Sequence, residues 1–226
     1  HGDGFLCGAP LAVLGAILHI GGMDENLLQD VVAAALKAGA DAAEAAFAER
    51  QSLSINVRQG ALEEVEREES RDLGVRVFIG KRHASVSGSD ISSEGWKKLV
   101  ERAVAMARLA PEDPYSGLAP EDRLANNHGM DLDLYDPVEL EPEALEAMGR
   151  AAEESARAVA GVTNSDGGSA TWSSGNWRLV TSGGFRGYGE GSYVSLVVNP
   201  LTEDTDGKKR RGFHWAARRF LAELDD

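Results

Sequence analysis

The sequence holds one cysteine, Cys7, so no disulfide can form within the chain and a cytoplasmic location is the simpler expectation. Its longest apolar run, Ala9 to Ile20, falls short of the ~20 residues that a membrane-spanning helix needs. No basic stretch precedes that run, as a secretory leader would require, and the first methionine is Met23. His1–Gly22 is therefore expected to be upstream or cloning-derived sequence, with an extra segment packed on the fold as the alternative. Histidines are scattered: His1, His19, His83, His128 and His214 lie far apart and none precedes a glutamate. No Gly-x-Ser-x-Gly elbow occurs either, so neither a paired zinc motif nor a hydrolase nucleophile is written in the chain.

Cations are outnumbered. Lys and Arg total 23 against 37 Asp and Glu, and the resulting net charge of -14 repels phosphate backbones and anionic membrane surfaces. Membrane association is not expected, and nucleic acid is an unfavoured partner. A length of 226 residues, 42% apolar and 27% charged, suits a globular protein of one large or two small domains.

What is present is strand alternation. Ala45, Phe47, Leu53, Ile55 and Val57, then Leu73, Val75, Val77 and Ile79, occupy odd positions and predict strands buried on one face, near Glu44–Arg58, Leu62–Ile79 and His83–Gly88. The acid-rich Glu63–Glu69 stretch is expected to interrupt the second strand as an exposed edge or outward-curling ribbon, its like charges discouraging stray pairing. A site for a metal or a cationic peptide is the sharper reading of the same stretch. Helices are predicted at Asp24–Ala38, ended by Gly39, and from Ser92 as N-cap to about Ala110, with Ile91 and Trp96 as a hydrophobic staple. Prolines 111, 114, 120, 137 and 142 mark a connector. Beyond it come a helix with Leu145, Met148, Ala152, Ala156 and Val159 as inner stripe, and strands near Ser169–Trp172, Trp177–Ser182 and Ser192–Val198. A helix-like Trp215–Leu224 closes the chain. The expected fold is α+β, helices packed on antiparallel or mixed sheets, in two subdomains: 23–110 and 142–226, joined by a connector at 111–141.

Several segments in this order carry a resemblance: Ala40-Asp41-Ala42-Ala43-Glu44, Val57-Arg58-Gln59-Gly60, Glu63–Glu69, Leu73-Gly74-Val75-Arg76-Val77, Gly80-Lys81-Arg82, Ser89-Asp90-Ile91-Ser92 and Asn164-Ser165-Asp166-Gly167. They resemble the first part of the TldD/TldE family, whose TldE side is also called PmbA and which was once labelled a modulator of DNA gyrase. The resemblance implies a two-part metallopeptidase assembly acting on unfolded peptides, in which a TldD-type subunit binds zinc through His-Glu-x-x-x-His and a later cysteine. This chain has no such set, so no catalytic, cofactor-binding or metal residue is carried over, and zinc is expected only on the TldD-type subunit. Gly207–Leu224 looks more like the PmbA side. The implied partners are a TldD-like subunit or a second copy. The resemblance also implies that the third family segment, expected to hold the chemistry, lies beyond Asp226.

Asn126–Asp133 offers a histidine and two carboxylates to a cation, but without a known ligand spacing, so solvated turn residues are the simpler reading. Gly183–Gly191 is glycine-rich enough to approach a phosphate, yet no helix is predicted after it, and a flexible hairpin loop is expected. Lys208-Lys209-Arg210-Arg211, with Phe213, Trp215, Arg218 and Arg219, is the best argument for nucleic acid. The alternative function is a non-enzymatic module modulating a DNA-associated (gyrase or toxin–antitoxin-like) partner.

Overall fold

Side chains on a strand alternate between faces, so a long alternating run can stay half-buried only against a cover on one side. The computed structural model describes residues 23–125 and 132–224. In it β1 (Ala42–Arg58) and β2 (Ala61–Ile79) form a long hairpin. Its turn is Gln59-Gly60, with φ of 52° and 74°, and left-handed values at both central residues are those of a type I′ turn. β3 (Arg82–Gly88) folds back on Leu73–Ile79 of β2. β4 (Val162–Thr181) and β5 (Arg186–Glu203) make a second long hairpin, and β6 (Lys209–Arg211) and β7 (His214–Arg218) both pair with β5. β1 also pairs with β4, from Glu44 opposite Thr181 to Val57 opposite Gly168. One seven-stranded sheet results, in the order β3-β2-β1-β4-β5-β6 with β7 beside β5, and every pairing is antiparallel. The architecture is α+β, as expected.

The helices lie on the face that carries the odd positions of β1. α1 (Met23–Lys37) and α2 (Ser93–Leu109) cover one end, where Leu28, Val31, Val100 and Val104 pack on Ala45, Phe47, Val75 and Val77. α3 (Pro142–Arg157) covers the other end, where Leu145 meets Leu53, Ile55, Val57, Trp172 and Val194. Each such side chain withdrawn from water contributes about 1.5–3 kcal/mol. Between the cores the same face turns polar: Glu49 is paired with Arg71 at 2.8 Å, and Gln51 donates to Ser174 at 3.3 Å. The α2 cap is as expected, the Ser92 hydroxyl accepting from the Gly95 amide at 3.1 Å, and Gly39 ends α1 with φ of 101°.

Five expectations are corrected. β2 is not interrupted: it runs straight through Glu63–Glu69, because β1 supplies ladder bonds along its whole length. Gly183–Gly191 is mostly strand, since Arg186 onward pairs with β4 and only the tip turns. Trp215–Leu224 is not a helix; Trp215–Arg218 belongs to β7, whose partner edge on β5 offers more hydrogen bonds than an isolated turn could. A short 3-10 turn follows at Leu221–Glu223, held by Asp136, whose carboxylate accepts the Leu221 amide at 2.7 Å. Leu36, whose three-four spacing with Leu28 and Val32 predicts it on the buried face of α1, points outward at 40% exposure. In α3 Leu145 and Met148 face the core as expected, but Gly149 and Glu153 are buried too, so a glutamate faces inward, and Val159 lies exposed beyond the helix end at Arg157.

Candidate functional site

Glu153 is that residue. Only 1% exposed, it accepts the amides of Gln59 and Gly60, each at 2.8 Å. A type I′ turn leaves these donors pointing away from its own ladder, and a carboxylate can take both. Burial opposes its charge, but the Gly60 and Gln59 amides, the Ser165 hydroxyl and the charge of Arg157 outweigh it and hold the carboxyl below its usual range. Ser165 is buried beside it in the Asn164-Ser165-Asp166-Gly167 segment, where β4 shifts register. The Asn164 side chain accepts from the Ser165 amide and from Gln59, and the Ser165 hydroxyl accepts the Gly167 amide. Gly167 has φ of 118°, and a Cβ there would lie 2.7 Å from the Val57 carbonyl, so a side chain is excluded. This knot fixes the tip of the β1–β2 hairpin against α3 and β4. It is structural, and it sets the pose of the sheet face behind it.

Among the described residues that face carries no helix. Register places its side chains in rows running across the strands: Glu68, Ser52, Ser173, Tyr193; then Glu66, Ser54, Thr171, Ser195; then Glu64, Asn56, Ser169, Val197, Trp215. One side is acidic, the middle hydroxylic, the far side aromatic. Ser54 and Thr171 share a hydrogen bond at 2.9 Å, and Ser169 donates to Asn56 at 3.1 Å. The floor is low because its residues are small, and the walls are Trp177, Tyr193 and Trp215, exposed by 48%, 39% and 60%. Trp177 lies across the bare backbone of β5, where a Cβ on Gly189 would come within 2.6 Å of its indole nitrogen. Ser173 and Ser195 are buried in this floor, so the half-buried Ser52, Ser54, Ser169 and Thr171, with the aromatic faces, are what it presents to solvent.

The sequence candidates fall elsewhere or lose force. Residues 126–131 of the Asn126–Asp133 segment lie outside the described residues, as do Cys7, His1 and His19. His83 is hydrogen-bonded to Ser116 at 3.0 Å, and His214 is exposed on β7. Among the described residues no group of three or more His, Cys, Asp or Glu is placed to hold a metal ion, so these residues do not fit a zinc centre. The basic cluster is largely spoken for: Arg210 pairs with Asp204 at 3.1 Å, Lys208 with Asp206 at 3.5 Å, Arg211 with Asp166, and Arg219 donates to the Ser192 carbonyl. Near the other end of the sheet Tyr188, burial raising its phenol and the hydrogen bond it donates to Glu190 reinforcing this, titrates at about 12. It lies under the Arg178 guanidinium, 5.4 Å from the ring centre.

Comparison with known proteins places this geometry. Residues 43–107 match the model of PmbA/TldA metallopeptidase domain 1, and residues 135–226 that of the PmbA/TldA metallopeptidase central domain. The chain belongs to the PmbA/TldD family. It is 34% identical over 148 residues to Metalloprotease PmbA of Escherichia coli O157:H7, covering 64% of this chain and 33% of that protein. It is also 34% identical over 136 residues to the PmbA homolog of Haemophilus influenzae, covering 60% and 30%. The chain thus spans about a third of these curated relatives. Among solved structures, a protein from Bacteroides thetaiotaomicron described as a modulator of DNA gyrase superposes with a TM-score of 0.83 at 19% identity, over 90% of this chain and 47% of that one. TldE from Thermococcus kodakarensis gives 0.65 at 17%, over 85% and 43%. At such identities these structures attest the fold alone. In this chain the Asn164-Ser165-Asp166-Gly167 segment is the register shift that anchors the hairpin.

The acidic, hydroxylic and aromatic rows went unnoticed in the sequence, where the even positions of β1 read only as wet. A signal was there in Ser52-x-Ser54-x-Asn56 and Ser169-x-Thr171-x-Ser173, the same polar alternation on two strands. Glu153 had no such signal.

Proposed function

We propose that this chain is the N-terminal scaffold of a TldE/PmbA-like subunit in a cytoplasmic metallopeptidase assembly acting on unfolded peptides. Its open sheet face lines the substrate path, and the bond-breaking groups lie on other parts of the assembly. The observation that carries this reading is the sheet face left uncovered by helices among the described residues, with small hydroxyls on its floor and aromatic walls, in a chain whose relatives are named metalloproteases. Backbone-directed recognition suits unfolded substrates, because it needs few side-chain rules. Assignment to the TldE side rests on the PmbA-like pattern of Gly207–Leu224 and on the curated relatives named PmbA. The DNA-partner alternative draws on the basic cluster, whose pairing with Asp204, Asp206 and Asp166 leaves it little charge to offer a phosphate.

The test uses the full-length parent protein, alone and with its counterpart subunit, on an unfolded peptide with zinc present. Ser54→Arg with Ser169→Arg places two long side chains on the floor of the track. Peptide cleavage is expected to show a raised KM with a smaller change in kcat. Cleavage with unchanged KM would refute the role of this face.

A further inference from the structure

β2 has a free edge. It pairs with β1 along its length but with β3 only over Leu73–Ile79, so Ala61–Asp72 has one open side, and no backbone hydrogen bond reaches that side among the described residues. Unpaired N–H and C=O groups in such a row form a template for another strand. Native edges are blunted against this by short length, proline or bulges; this one is long, lacks proline, and keeps its register shift close to the turn, near Asn56/Val57. Its remaining guard is charge.

The charge is arranged. Glu63 is held by Arg58 at 3.6 Å and Asn56 at 2.9 Å, and Glu69 by Arg67 at 3.2 Å. Glu64, Glu66 and Glu68 are exposed and have no ion-pair or hydrogen-bond partner among the described residues. All three point to the open face, since they stand opposite Asn56, Ser54 and Ser52 of β1. On a strand, alternate residues repeat at roughly 6.8 Å, the spacing at which an added strand presents its own alternate side chains. On the opposite face of the same edge, Val65 beside buried Ile55 is 49% exposed. The edge therefore asks for basic residues on one face of an incoming strand and an apolar residue on the other.

We infer that the free edge of β2 receives an extended polypeptide with Lys or Arg at alternate positions and apolar residues between them. Charge complementarity selects this occupant. A second copy of the same edge would set glutamates against glutamates, and a nucleic acid carries the wrong sign. The inference rests on the peptide-track reading above and narrows it: the open face then prefers basic segments, entering at its acidic side.

The experiment measures binding, not cleavage, so the two readings fail separately. Fluorescence anisotropy of the 226-residue chain would compare a labelled Lys-Val-Lys-Val-Lys-Thr peptide with its Glu-for-Lys counterpart. It would also compare two versions of the basic peptide N-methylated at one or the other alternate set of amides. The basic peptide is expected to bind and the acidic one not. Methylation of one alternate set should abolish binding while the other is tolerated, because a strand uses only every second amide toward a given neighbour. The triple variant Glu64→Gln, Glu66→Gln, Glu68→Gln should weaken binding roughly tenfold, three exposed ion pairs being modest individually. Equal binding of both methylated peptides would overturn the inference by reducing it to diffuse charge attraction, and so would an unweakened triple variant. Equal binding of the basic and the acidic peptide would sink this proposal and leave the track standing.

Discussion

Removing the Glu153 carboxylate tests the anchoring of the long hairpin most directly. The side chain takes two backbone amides at 2.8 Å each, from Gln59 and Gly60, with Ser165 against it. A hydrogen bond to a charged group contributes about 1.5–3 kcal/mol, but Gln59 is exposed and water can replace part of the loss, so Glu153→Ala is expected to cost about 2–4 kcal/mol. Glu153→Gln keeps one acceptor and turns an NH2 toward the second amide, and about half that loss is expected. Urea unfolding monitored by circular dichroism would read the midpoint shift at constant slope, with the exposed neighbour variant Glu154→Ala as control. The pH dependence gives an independent reading. Because the folded carboxyl lies below its ordinary value of 4.5, its contribution is fully present above pH 4.5. Below that, the unfolded chain takes up the proton first, and stability drains until the folded group protonates too. The gap between wild type and Glu153→Gln should therefore be widest near neutrality and narrow as pH falls through this range. If Glu153→Ala unfolds within about 0.5 kcal/mol of the Glu154→Ala control, the anchoring argument is wrong.

Gly167→Ala should destabilise by about 2–4 kcal/mol, from left-handed strain and a Cβ 2.7 Å from the Val57 carbonyl; a midpoint like wild type would show that the register shift tolerates a side chain. Ser92→Ala should cost about 1 kcal/mol through the lost cap at Gly95, readable by thermal unfolding, while Ser93→Ala one residue on should be nearly silent.

Local patterns carried much of the fold. The odd-position alternation of β1 and β2, the Gln59-Gly60 turn, Gly39 after α1 and the Ser92 cap with its apolar stripe are short-range signals, each set by the backbone's own period or by a few neighbouring hydrogen bonds. The family resemblance, resting on ordered segments rather than on any one motif, also reached the right assignment. The acidic edge was legible as exposed, although its continuity as strand was not.

The rest depended on partners distant in sequence. A helical period in Trp215–Leu224 lost to an open edge of β5, and the apparent loop at Gly183–Gly191 became strand because β4 lay beside it. Glu153 sits where a residue-by-residue reading puts solvent, because the turn it satisfies is 93 residues away. The sequence by itself determined which residues alternate, where α1 and α2 begin and end, and an acidic surface without a readable zinc motif. Only the tertiary structure decided that β1 joins β4, and thereby that glutamates, hydroxyls and aromatics from separate strands share one open face. Pairing between distant strands is chosen by the summed burial and hydrogen bonding of the whole sheet, a quantity that no local window of sequence contains.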